Sequence, residues 1–119
     1  MNELHNHLQG LISLNGAIAA AVVDSASGML LGSLGEHIDI EIAAAAHCEV
    51  LKTQRKTLKL LGQQQQIEDM LITLNNQYHL LRPLSAHPEL FVYYVLEREQ
   101  ANLALARLKL QRTELKIRF

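Results

Sequence analysis

Apolar side chains recur along this chain in two patterns. Some stretches show helical spacing, and others are short uninterrupted runs. Leu4, Leu8, Leu11 and Ile12 lie at helical intervals and predict an amphipathic helix over residues 2–13. Gly16 then opens Ala17 to Val23, which is apolar on both parities and suits a buried helix or a strand covered on both faces. Turn chemistry follows in Asp24-Ser-Ala-Ser-Gly28, with a glycine free to take positive φ, and a second short run covers residues 29–33. A short run, a glycine-ended turn and another short run describe a hairpin, so two strands are predicted. The alanines weigh against strands, because alanine packs a pleated surface poorly.

Gly35 breaks the chain again. Asp39 is placed to cap a helix over residues 40–61, with Glu41 near its positive end, Lys56 and Lys59 near its negative end, and Gly62 as the stop. The four glutamines at 63–66 read as a loop. Three strands are predicted next. The first covers residues 67–74 and stops at Asn75-Asn76, and the second covers 78–84, where Pro83 marks an edge or a strand end. The third, residues 90–96, is the strongest by propensity. A helix over 101–112 closes the chain, with Leu103, Ala106 and Leu110 on one side. The order is α-β-β-α-β-β-β-α. Short turns between strands imply antiparallel pairing with helices on the faces, so the class is α+β.

Projection of residues 40–61 at about 100° per residue gives more apolar surface than one sheet needs. A first stripe holds Ile40, Ala44, Cys48, Leu51 and Leu58 and fits packing on the sheet. A second, beside it, holds Ala43, Ala46, Val50 and Leu61, with His47, Gln54 and Thr57 among them. Its small residues allow another helix to approach closely. The stripe predicts self-association through a twofold pair of these helices, unless the terminal helices or loops cover it.

The 119 residues fit one domain spanning 1–119, large enough for a real core without disulfides. A hydrophobic share of 49% against 19% charged argues against disorder. The net charge of −1 hides an asymmetry: residues 1–51 carry six acids and no Lys or Arg, whereas residues 52–119 carry six acids and all eleven bases. Lys52, Lys56 and Lys59 share one exposed side of the long helix, with Arg55 nearby. A second basic set, Arg107, Lys109, Arg112, Lys116 and Arg118, lies near the C-terminus. Either set suits an acidic partner surface, anionic lipid or plain solvent. Neither has the density of a nucleic-acid footprint, and with five aromatics and no Trp little is left for base stacking, so no nucleic-acid partner is expected. No basic segment precedes an apolar run at the N-terminus, and the longest apolar stretch is far below the ~20 residues of a membrane span. A cytoplasmic protein without membrane insertion is expected.

Catalytic and metal chemistry find little support in the spacing. His5 and His7 diverge on a helix, His47 and Cys48 diverge likewise, and His37, His79 and His87 fall in separate elements. The histidines therefore read as surface or partly buried groups. The lone Cys48 has no adjacent base. The glycines form neither GxGxxG nor a P-loop. Glu68 and Asp69 would point to opposite faces of a strand and cannot converge. The expectation is no enzyme and no cofactor.

The chain resembles the roadblock family, named for a dynein light chain, and in particular its bacterial branch. The resemblance rests on Gly16-Ala-Ile-Ala-Ala-Ala-Val-Val-Asp24 followed by Ser27-Gly-Met-Leu-Leu-Gly-Ser33, on Ile40-Glu-Ile-Ala-Ala-Ala-Ala46, and on Asn102-Leu-Ala-Leu-Ala-Arg-Leu-Lys-Leu110. It implies a five-stranded antiparallel sheet with the long helix on one face and the two terminal helices on the other. It also implies dimers in which the long helices pair and the middle strands join into one sheet. The interface would hold Ala43, Ala46, His47, Val50, Gln54 and Leu61, with Met70 and Ile72 on the joining strand. The partner copy would be the same chain or a roadblock paralogue. The family's dimers are non-enzymatic platforms, several of which bind small Ras-like GTPases, and Lys52, Lys56 and Lys59 would meet such a partner. Profilin-like and longin sensor domains share the topology, which makes a small-ligand sensor the alternative.

Overall fold

The computed structural model describes residues 3–119. Its elements run α1 (Glu3–Ile12), β1 (Ala17–Asp24), β2 (Leu30–Gly35), α2 (Ile40–Leu60), β3 (Met70–Thr73), β4 (Gln77–Pro83), β5 (Leu90–Glu97) and α3 (Leu103–Lys116). The expected order is observed. The expected start of α1 at Asn2 lies outside the described residues.

The strands form one antiparallel sheet in the order β2-β1-β5-β4-β3, so β2 and β3 are its edges. Side chains of alternate parity point to opposite faces. One face presents Ala20, Val22, Leu80, Val92, Tyr94 and Leu96 to α1 and α3, which contribute Leu8, Leu11, Ala106 and Leu110. The other presents Ala19, Ala21, Val23, Leu81, Phe91, Tyr93 and Val95 to the Ala44, Cys48 and Leu51 stripe of α2. The class is α+β, with one long helix on one face and two terminal helices on the other. β1 is apolar on both parities because both its faces are covered.

Local chemistry fixes the elements. The carboxylate of Asp39 accepts from the Ile42 amide and caps α2. Gly62 takes a φ of 68°, and its amide and that of Gln63 donate to the carbonyls of Lys59 and Leu58, ending the helix. In the β1–β2 turn the Asp24 carboxylate accepts from the Ala26 amide, and Gly28 takes a φ of 79°. Gly35 is required at the end of β2: with a φ of 116°, a Cβ there would lie 2.5 Å from Ala19 Cα and would strike the Ile18 carbonyl.

β2 runs on to Gly35, two residues past its expected end, and the largest departures from the expected bounds are at β3 and α3. β3 spans only residues 70–73, and the preceding stretch is irregular. Asp69 is held there by Arg107, which donates from Nη2 at 2.7 Å and from Nε at 3.2 Å, and this fork draws the chain toward α3. Glu68 and Asp69 are therefore not on a strand, and the two-face argument for them does not apply. α3 starts and ends later than expected. Asn102 caps it by accepting from the Leu105 amide, and the helix continues to Lys116 because Ile117 is buried beyond it.

Candidate functional site

α2 lies chiefly over β1 and β2. It leaves a step where its own flank meets the sheet surface of β4 and β3. On the helix side of this step Ala43 and His47 are half-buried, while Ala46, Val50, Gln54 and Leu61 are exposed. On the sheet side Met70 and Ile72 are half-buried on the edge strand β3, whose outer edge is unpaired. Of the residues expected at an interface, Ala43, Met70 and Ile72 pack against the α2-side core, Gln54 and Met70 line one cleft, and Ala46, Val50 and Leu61 are exposed on α2. Leu61 stands at the far end, as the helix C-cap.

Sequence spacing did not show that the floor of this step is a ring cluster. His47, from α2, stacks on Tyr93 of β5 with centroids 4.7 Å apart. His79, from β4, meets Tyr93 edge-on at 5.5 Å and His47 at 5.6 Å. His79 is buried at 8% exposure, a correction to the expectation of surface or partly buried histidines. The cause is register: β4 places His79 between Ile72 and Val95, under the α2 flank. Gln77 Oε1 only accepts, so His79 Nε2–H donates to it at 2.7 Å, and Nδ1 accepts from the Tyr93 hydroxyl at 3.0 Å. The neutral ring is thus fully satisfied. Burial pushes the His79 pKa below its ordinary value, and His47 pushes it further in the same direction. Burial also pushes the Tyr93 phenol up to about 12. Burial thus favours the neutral forms of His79 and Tyr93, which suits them to packing and hydrogen bonding.

Lys52, Lys56 and Lys59 occupy the other flank of α2. With Arg55 and the Ser25–Ala26 turn they line a cleft of about 310 Å³. Lys52 makes an exposed pair with Glu49 at 3.7 Å. Arg55 donates to the Pro88 carbonyl at 2.7 Å. The step and the basic cleft therefore face different directions.

Sequence reasoning also missed an ion cluster that joins α3 to β4 and the start of β3. Glu114 is buried at 2% exposure and accepts from the Ser85 amide at 2.9 Å and from the Ser85 hydroxyl at 2.7 Å. Arg82 sits between the carboxylates of Glu114, 3.5 Å away, and Asp69, 3.8 Å away. The Asp69 hydrogen bonds push the Arg107 guanidinium pKa upward. No one spacing rule links residues 69, 82, 107 and 114, so only the folded chain brings them together.

The remaining chemistry is quiet. Cys48 is buried and its pKa is raised, first by burial and then by Asp24 and Glu49, which keeps it a thiol. Among the described residues no group of three or more His, Cys, Asp or Glu side chains is placed to hold a metal ion. Among them, too, no helix is long and apolar enough to cross a membrane.

No protein-family model matches the chain, and no curated protein matches it in sequence. Solved structures do match in shape. The gliding protein MglB of Thermus thermophilus superposes with a TM-score of 0.80 at 16% identity, covering 93% of this chain and 82% of that one. A roadblock/LC7 domain from Streptomyces avermitilis gives 0.81 at 14% identity, covering 95% and 92%. An MglB in a tetrameric arrangement gives 0.81 at 16% identity, covering 93% and 82%. At such identities the likeness concerns the fold, and the chain has the roadblock fold that its sequence resembles.

Proposed function

We propose that this chain is a one-domain, cytoplasmic, non-catalytic platform. It dimerises with itself or with a roadblock paralogue and binds a small Ras-like GTPase. The observation that carries the dimer is the half-covered α2 face. The step lined by Ala43, Ala46, His47, Val50, Gln54, Met70 and Ile72 lies beside an open strand edge, where a second α2 and a second β3 would complete both layers. Antiparallel pairing of two α2 helices would also set the acidic start of one, Glu41 and Glu49, near the basic end of the other. The tetrameric arrangement of an MglB of this fold supports oligomerisation in general.

The GTPase reading rests on the family resemblance and is supported by the basic cleft at Lys52, Lys56 and Lys59, on the flank of α2 away from the step. The chain would act by holding the GTPase's own residues in place.

Two measurements test this. Sedimentation velocity at micromolar concentration is expected to give a dimer, and Val50→Asp a monomer with an unchanged circular dichroism spectrum. A wild-type monomer overturns the dimer. GTP hydrolysis by each purified Ras-like GTPase of the same cell is then measured with and without the chain. One of them is expected to change rate, and Lys52→Glu with Lys56→Glu to abolish the change. No change with any of them overturns the GTPase reading.

A further inference from the structure

α3 is apolar on two sides. Its buried side places Ala106, Leu110 and Thr113 on the sheet. Its outer side carries Leu105, Leu108 and Leu115, which are 50%, 40% and 49% exposed. With Arg112 these residues follow the spacing i, i+3, i+7, i+10, which is the seam of a two-helix coiled coil. One sheet needs only one apolar stripe from a helix, so the outer seam has no use within this fold.

The charges beside the seam have one sign. Lys109, Arg112 and Lys116 accompany the leucines, and none of the three makes an ion pair with a described carboxylate. The single acid of α3, Glu114, is buried and engaged with Ser85. Lys109 runs alongside Gly10 of α1, and Arg107 on the opposite flank is tied to Asp69, so the seam lies between these two edges and faces solvent. A second copy of the same helix would set cation against cation. A bilayer deep enough to take Leu108 and Leu115 would also cover the Arg112 guanidinium between them, which is costly. A partner helix avoids both costs by placing one carboxylate opposite Arg112 and acids along its flanks.

We infer that the outer seam of α3 docks an acidic amphipathic helix of another protein, with Arg112 setting the register against a carboxylate. The seam is on the sheet face opposite α2, so docking there does not depend on the dimer or the GTPase.

The test uses the full chain and two labelled synthetic peptides of about three heptads. Both have leucine at the core positions. One has glutamate at the flanks and at one central core position, and the other has lysine at those places. Fluorescence anisotropy at low salt is expected to show the acidic peptide binding at least about tenfold more tightly than the basic one. Leu108→Asp is expected to abolish binding, and Arg112→Glu to reverse the preference between the peptides. Both sites are exposed, and a circular dichroism spectrum checks each fold. Val50→Asp is expected to bind as the wild type does. Equal binding of the two peptides, or no binding of either, overturns the proposal. So does co-sedimentation with phosphatidylglycerol vesicles that needs Leu108 while the acidic peptide fails to bind. Self-association that Leu108→Asp removes and Val50→Asp retains overturns it in favour of a second copy.

Discussion

The two faces of the sheet are built differently. Both carry large side chains at the centre, Leu80, Val92, Tyr94 and Leu96 on the α1/α3 face and Leu81, Phe91, Tyr93 and Val95 on the α2 face, and small ones on β1. The first, however, is packed out to Leu34 on β2 and Leu71 on β3 beneath two helices. The Tyr94 hydroxyl donates to the Leu11 carbonyl at 2.6 Å, and Glu114 anchors Ser85. The α2 face is floored by alanines on β1, covered by one helix over β1 and β2, and left with Met70, Ile72 and the His47–Tyr93–His79 rings at a half-open step. Two helices close the first face within one chain. One helix cannot close the second, because a helix is about 10 Å wide and five strands span about twice that. The closed face makes the fold, and the open face is where another copy would add its share.

The largest effect expected comes from two adjacent residues of α2 that this comparison separates. Leu51 is fully buried and Val50 is 38% exposed on the step. Leu51→Asp puts a carboxylate into the core and should cost more than about 4 kcal/mol, enough to unfold a domain of ordinary stability. Val50→Asp should leave the urea midpoint of dilute protein nearly unchanged. Equal losses from both would break the division of α2 into a sheet stripe and a partner stripe.

Truncations on the two faces give the next effect in size. Leu110→Ala removes a fully buried side chain from the closed face and should cost about 2–5 kcal/mol at any protein concentration. Ile72→Ala, on the half-buried edge of the open face, should cost about half as much in dilute protein. Its cost should grow with concentration, because pairing stabilises only the folded chain. Urea titrations at two concentrations read both. A concentration dependence in Leu110→Ala and none in Ile72→Ala would reverse the roles of the faces.

Hydroxyl deletions come third. Tyr94→Phe removes the buried bond to the Leu11 carbonyl and should cost about 1 kcal/mol. Tyr93→Phe should cost about as much in the monomer, because it leaves His79 Nδ1 without its donor. Only Tyr93→Phe should also shift the proposed dimer equilibrium, read by sedimentation, since its ring stacks on His47 of the α2 flank.

Local features were far more legible in the sequence than contacts between distant residues. Periodicity found all eight elements, and Asp39, Gly28 and Gly62 act as caps and turns where their chemistry put them, because these signals are local. The double burial of Ala17–Val23 followed from its two apolar parities. The errors lie where distant residues decide. β3 is shorter than its apolar run because Arg107 pulls Asp69 out of line. The meeting of His47, His79 and Tyr93 depends on how α2 lies across the strands, which no spacing records. The second stripe of α2 was visible because it exceeds what one sheet requires. The outer seam of α3 was read only as a run of bases, since which side of that helix is buried is known only from the packing.

The smallest expected effect is a pH dependence confined to the open face. His79 is buried as a neutral ring, and its pKa is lowered by that burial and by His47. In the unfolded chain the imidazole returns to about 6.5 and takes up a proton that the folded state resists. The unfolded state therefore binds more protons below about pH 6.5, and stability should fall as pH drops through that point. Above it both states are neutral and the contribution is flat. The groups facing His79 are His47 from α2, Tyr93 from β5 and Gln77 on its own strand, with apolar Ile72 opposite on β3 and Glu97 across from Gln77 on the same face. Urea midpoints of wild type and His79→Gln at about pH 5.5 and 7.5 isolate the effect of His79 together with its coupling to His47, since groups distant from both cancel in the difference. Wild type should lose more stability than the variant on acidification. The gap should widen at high protein concentration, where a partner over the step would bury the ring further. Parallel losses in the two proteins at every concentration would mean that His79 titrates freely, and the step would then be more open than its ring contacts imply.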